Sequence, residues 1–274
     1  MTNDRAPVGG AAAVDLYGTR RVIESAALHM QPNVRTAVWE ACRPQLIAYA
    51  ARMVAQRSIA EELTQEAGLR LLDAGTAAEG DAQVRAWLFK VVTNLALDHL
   101  KRHSTWRELS ISGIRARAER DAAFVADSVA MKGSPELRSI AREHLTVCFA
   151  CTLRNLAPRQ AACLLLKEVY GLTVQETADA VDCSFAQVKN WLQDGRATLE
   201  RIYSRTCALV HQDGVCHQCT ELDSFFNGHA GNPLAGTAGD IGARLAVLRD
   251  HRDFADGPWH RKLLDLVQDT FGER

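Results

Sequence analysis

The chain has 274 residues, 47% hydrophobic and only 6% aromatic, with 32 Lys and Arg against 33 Asp and Glu for a formal net charge of −1. This is enough apolar material for two small cores, and the near-neutral balance excludes a globally basic nucleic-acid-binding protein, so any surface for DNA must be local. The opening "MTNDRAPVGGAAAVDLYG" has no charged segment leading into an apolar run, and nowhere do about 18 uncharged apolar residues occur together, so neither a signal peptide nor a membrane span is expected. A cytoplasmic location follows, where thiols stay reduced and the eight cysteines suggest metal, redox chemistry or core packing before structural disulfides.

In chain order, residues 1–34 form an N-terminal tail that opens on Ala, Gly and small polar residues. From 35 to 103 the pattern is helical. Ile59, Leu63, Ala67 and Leu71 step by four along one face, and Glu62, Glu66 and Arg70 along another. "GTAAEGD" at 75–81 breaks this helix, and "VRAWLFKVVTNLALDHLKRH" resumes with Leu88, Val91, Val92 and Leu95 on one stripe. Residues 104–134 mix charge and Gly with weak periodicity and read as a linker. A second helical unit spans 135–203, with Ser134 as a cap before Pro135 in the first turn. An extension, 204–274, carries a cysteine segment, a Gly-rich break at 228–240 and helical patterns around "IGARLAVLRDH" and "PWHRKLLDLVQDT". The expected class is all-α: two small helical domains, a linker, and an extension with a Cys knuckle.

Within the second unit, "TVQETADAVDCSFAQVKNWLQDGRATLERIY" reads as two helices joined at Asp182-Cys183-Ser184. Ala178 is small where the helices approach, Val181, Val188 and Leu192 are apolar at crossing positions, Asp182 tolerates a left-handed turn, and Ser184 is a cap. The pattern predicts a helix-turn-helix whose helix 185–199 enters a major groove. Its outward Lys189, Asn190, Gln193 and Arg196 suit phosphates, guanine edges and adenine. The alternative is a helical hairpin buried in an ordinary bundle. From the first unit onward, residues 85–107 hold Arg85, Lys90, Lys101, Arg102 and Arg107 against the single acid Asp98, with Trp87, Phe89 and Trp106 interleaved. Cations with aromatics suit opened DNA, although Trp87 and Phe89 are more often core residues than base platforms.

These stretches carry a resemblance. "SIAEELTQEAGLRLLDA…VRAWLFKVVTNLALDHLKRH" resembles region 2 of the extracytoplasmic-function (ECF) sigma factors of bacterial RNA polymerase, and "LAPRQAACLLLKEVYGLTVQETADAVDCSFAQVKNWLQDGRATLERI" resembles their region 4. The resemblance implies a non-enzymatic, dissociable polymerase subunit that selects promoters and helps open them, and it admits an anti-sigma factor as a further partner. The helix 60–73 would clamp the polymerase core through Glu61, Glu62 and Glu66, an acidic face suited to a basic partner. Asn94 matches the position that holds an unpaired base of the melted −10 element, and the turn Lys101, Arg102, His103 and Ser104 matches the loop that reads it, which offsets the cost of unstacking. The helix 185–199 would read the duplex −35 element. Asp194 departs from the basic residue of many relatives, and it is unfavourable beside phosphates unless it accepts from a cytosine amino group.

Two Cys-x-x-Cys pairs remain, "CFAC" at 148–151 and "CHQC" at 216–219. On a helix, His144, Cys148 and Cys151 share one face. "TCALVHQDGVCHQC" reads as a hairpin with Asp213-Gly214 at its turn, presenting Cys216 and Cys219. Cys148, Cys151, Cys216 and Cys219 together suffice for a tetrahedral Zn²⁺ site that staples the extension to the second unit, with Cys207 and His144 as reserve ligands. An iron–sulfur cluster would use the same ligands, and disulfide switching or plain core packing are further readings. Both pairs also resemble those of a subset of ECF-type sigma factors, which supports a link between the segments without identifying the metal. Cys42, Cys163 and Cys183 read as packing residues. Two other classes stay open for the whole chain: a helix-turn-helix regulator that acts without polymerase, and a metal or redox sensor that binds another protein.

Overall fold

A computed structural model of the chain describes residues 34–73, 80–103, 120–123, 126, 148–207 and 240–253. The tail, most of the linker, the start of the second unit near Pro135, the cysteine hairpin with its Gly-rich break and the last helical pattern lie outside these residues. The architecture is all-α, and among the described residues no strand forms.

The first unit is a three-helix bundle of α1 (Val34–Val54), α2 (Arg57–Asp73) and α3 (Asp81–His103). Ala55 ends α1 with φ 59, and its amide bonds back to the Ala51 carbonyl at 2.8 Å. Gly80, with φ 97, precedes α3 where the sequence predicts a break. The expected stripe on α3 is inside: Leu88, Val92 and Leu95 are buried and Val91 packs at the edge. On α2 the packed face is Ala60, Thr64, Ala67, Gly68 and Leu71, shifted from the expected one so that Ile59 and Leu63 lie at its margin. The reason is steric. Small residues admit α1 closely, and a Cβ on Gly68 would sit 2.6 Å from the Trp39 indole nitrogen. Buried hydroxyls are satisfied, with Tyr49 Oη 2.8 Å from Thr93 Oγ1 and Thr93 donating to the Phe89 carbonyl at 2.6 Å.

In the second unit a helical stretch at 148–153 leads into α4 (Pro158–Leu164), which has Pro in its first turn and runs on as a π-helical turn, Leu165–Val169. Gly171, at φ 73, closes that turn. Thr173 opens α5 (Val174–Val181) with a capping box: Thr173 Oγ1 accepts from the Glu176 amide at 3.1 Å, and the Glu176 carboxylate accepts from the Thr173 amide at 2.7 Å. After the turn, α6 covers Phe185–Thr206, continuing past the expected end at 199. In the extension, α7 (Ile241–Asp250) matches the helix expected there, and the Asp240 side chain caps it through the Gly242 amide at 2.7 Å.

The two units touch. α3 packs along α5, and α7 packs on the π-helical turn and on α6. At the centre, Tyr170 stacks edge-on against Tyr49 with ring centroids 5.4 Å apart and tilts against Phe89 at 5.1 Å.

Candidate nucleic-acid interface

The turn of the helix-turn-helix follows from three residues. Asp182 sits in the left-handed region with φ 54 and ψ 62, a conformation open to Asp because its short side chain tolerates it. The Cys183 amide bonds to the Ala178 carbonyl at 3.1 Å, and Ser184 caps α6 by accepting from the Gln187 amide at 3.2 Å. Ala178, Val181 and Val188 are buried at the crossing, with Leu192 packed beside them. This pins α6 by one edge and leaves Lys189, Asn190, Gln193 and Arg196 exposed together with Asp194.

Two features of this face were not singled out from the sequence. Phe185, the first residue of α6, is 45% exposed, and the Lys189 ammonium lies 4.7 Å from its ring centroid. Its position just after the cap, with its apolar side chain outward, is the signal that marks it. The second is Glu168. Its carboxylate, on a side chain only 10% exposed, pairs with Arg196 and also with Arg249 of α7 at 3.4 Å. No local pattern identifies that partner, because Glu168 lies on another element.

On α3, Asn94 is exposed on the helix surface, and Lys101, Arg102 and His103 form its exposed last turn. Ser104 lies outside the described residues. Cations are favourable there because the helix C-terminus carries partial negative charge. His99 stacks on His103 with centroids 4.4 Å apart, and burial, helped by His103 and Arg102, lowers its pKa below the ordinary histidine value. The expected cluster of cations and aromatics is divided. Phe89 is fully buried and Trp87 packs against the core. Arg85 turns inward to donate to the Tyr170 carbonyl at 2.6 Å, 4.8 Å from the Phe89 ring centroid, because the junction with the second unit offers a buried acceptor. Arg107 and Trp106 lie outside the described residues.

On α2, Glu61 and Glu62 are exposed and Glu66 is half-buried, with Glu61 paired to Arg57 and Glu66 to Arg70, each at 2.8 Å. Leu69 and Leu72, 52% and 66% exposed, stand on the same helix, so this surface combines acid with apolar area.

Cys148 and Cys151 are half-buried, one turn apart on the stretch 148–153. Cys207 is buried just past the end of α6 and accepts from the Arg244 guanidinium at 3.4 Å. That guanidinium lies 3.9 Å from the Tyr203 ring centroid. Burial and then the nearby Cys148 raise the Tyr203 phenol well above its ordinary pKa, and its hydroxyl lies 2.7 Å from Thr152 Oγ1. Cys42 and Cys163 are buried and Cys183 half-buried, as packing residues should be. Burial and the Cys183 thiol push Cys163 up to about 12. Among the described residues, no three His, Cys, Asp or Glu side chains gather as a metal site. Cys216, Cys219 and His144 lie outside those residues. No described helix is long and apolar enough to cross a membrane.

Comparison with known proteins places these units. The family description Sigma-70 region 2 matches residues 38–105, and Sigma-70, region 4 matches residues 146–199. The chain is 30% identical over 219 residues to the probable ECF RNA polymerase sigma factor SigI of Mycobacterium tuberculosis, covering 78% of this chain and 71% of that protein. It is also 30% identical over 174 residues to the ECF RNA polymerase sigma factor SigG of the same species, covering 60% of this chain and 47% of that one. To SigX of Bacillus subtilis it is 26% identical over 151 residues, covering 54% and 73%. A three-helix unit, a helix-turn-helix unit with its polar face outward, and these matches in the same order lead to one conclusion: the chain belongs to the ECF family of RNA polymerase sigma factors.

Proposed function

We propose that the chain acts as a dissociable, non-catalytic subunit of RNA polymerase that selects promoters and helps open them. The observation that carries this reading is the joint presence of both sigma regions, with α6 holding Lys189, Asn190, Gln193 and Arg196 on one exposed face. In this reading α6 contacts the duplex −35 element through those four residues. Asn94 holds an unpaired base of the −10 element, and the Lys101–Ser104 turn reads it. Glu61, Glu62 and Glu66 meet a basic surface of the polymerase core. The test is comigration of purified protein with polymerase core, followed by promoter-specific transcription. Protein that binds duplex promoter DNA tightly but neither joins core nor programmes transcription would favour a regulator acting without polymerase.

The extension adds a finer reading: Cys148, Cys151, Cys216 and Cys219 share one Zn²⁺ and so modulate region 4. The support is chemical. Two thiols stand one turn apart on one helical stretch, and four thiolates fit a tetrahedral ion. Cys207 and His144 are the reserve ligands. Elemental analysis of protein purified under reducing conditions should find about one zinc per chain, lost when either pair is changed to Ser. Iron with acid-labile sulfide would assign the same ligands to a cluster, and metal-free protein with every thiol titratable would return these cysteines to packing.

A further inference from the structure

We propose that α7 of the extension clasps regions 2 and 4 in a closed arrangement that withholds the duplex-reading helix, with Glu168 as the pivot. The inference rests on the promoter-recognition reading of α6 and concerns its regulation.

Two side chains make the clasp. Arg52 of α1, only 3% exposed, donates to Tyr170 Oη of region 4, to the His251 carbonyl at 3.0 Å and to the Arg252 carbonyl at 3.4 Å. One guanidinium thus joins region 2, region 4 and the extension. Its partners in the extension lie just past the end of α7, where unsatisfied carbonyls and the helix dipole favour a cation. Glu168 joins the other side. Its carbonyl accepts from Arg249 Nε at 2.5 Å, and its carboxylate lies between the guanidinium groups of Arg249 and Arg196.

This arrangement opposes promoter binding by geometry. Elements centred at −10 and −35 span roughly 85 Å of duplex at about 3.4 Å per base pair. A molecule in which α3 lies directly along α5 cannot place the end of α3 on one element and α6 on the other. The Glu168 carboxylate also pairs with Arg196 of the reading face, a bond within region 4 that links the α7 contact to that face. Promoter engagement therefore requires the units to part. The extension resists parting because it is tied to both through Arg52 and Glu168.

The Arg52 and Arg249 contacts are hydrogen bonds and an ion pair, so a single change at the exposed end weakens the clasp. Arg249 is 47% exposed and belongs to neither the DNA face nor the polymerase face. In Arg249→Glu an acid would face Glu168, while Arg249→Gln removes the attraction alone. Small-angle scattering on the full chain should show expansion for Arg249→Glu and a smaller expansion for Arg249→Gln, both with unchanged helical content. Promoter-specific transcription with polymerase core should rise about threefold to fivefold for Arg249→Glu, the range of a partly exposed ion pair. An Arg249→Glu protein as compact as wild type overturns the clasp. One that expands without gain in transcription overturns its regulatory role. Wild-type comigration with core, measured alongside, separates the two readings. If wild type does not join core yet the variant expands, the promoter reading fails with the regulatory half, and the mechanical clasp stands.

Discussion

The seam that joins α1, α2 and α3 differs in chemistry from the seam that joins the two regions. Inside region 2 the contact is apolar and fine-grained: Leu46, Met53, Leu71, Leu88 and Val92 are buried almost completely, and Gly68 lets Trp39 come close. Between the regions the aromatic centre of Tyr49, Phe89 and Tyr170 is ringed by Arg52, Arg85 and backbone carbonyls. Opening the first seam exposes hydrocarbon to water, with no compensating contact. Opening the second exposes the three aromatic rings and exchanges protein hydrogen bonds for water hydrogen bonds, so only the hydrogen-bond part of the loss is modest. Under the clasp proposal the first seam persists and the second parts, since the polar ring around its aromatic centre can be rehydrated.

The strongest way to break the comparison is in the apolar seam. Leu88→Ala should destabilise region 2 by about 2–5 kcal/mol, because a fully buried side chain leaves a cavity. Denaturant unfolding measures this; a loss under about 1 kcal/mol would show a seam looser than described. Next comes the polar seam. Arg52→Ala should weaken α7 docking by about 1.5–3 kcal/mol, the range for hydrogen bonds to a charged group. Amide exchange should then quicken in α7 while the amides of α1–α3 keep their protection. Equal loss in all elements would mean that the two seams are one cooperative unit.

A smaller effect lies away from both seams. Ser184→Ala removes the cap of α6 and should cost about 1 kcal/mol. It should leave exchange in α7 unchanged, so a coupled change there would tie the reading helix more closely to the clasp than its cap suggests. The smallest effect on stability belongs to the acidic surface. Paired Glu62→Lys and Glu66→Lys should shift stability by less than about 1 kcal/mol, since surface ion pairs contribute little. Affinity for polymerase core should nonetheless fall in a binding titration. Unchanged affinity would move the core-binding surface elsewhere.

Legibility followed the range of the interactions. The break before α3, the turn at Asp182 and the cap at Ser184 are read from neighbouring residues, because each depends on backbone conformation and bonds a few positions away. Small shifts came where packing partners intervene. On α2 Ile59 and Leu63 are marginal, because Trp39 on α1 requires a small-residue face. The capping box at Thr173 is equally local, since Thr and Glu stand three positions apart in "TVQE" and bond each other's backbone.

By itself the sequence determined the helical class, the helix-turn-helix and its outward side chains, and the order of the two sigma-like stretches. Periodicity, capping and turn chemistry are local, and the helix repeat alone sets which residues share a face. Only the tertiary structure decided that Arg85 turns inward, that Arg52 serves three segments at once, and that Glu168 holds Arg196 of the reading face. The partners of Arg52 at His251 and of Arg85 at Tyr170 are separated by 199 and 85 positions. A charge at such a separation finds its counterpart through the folded path of the chain, and no spacing along the sequence encodes that meeting.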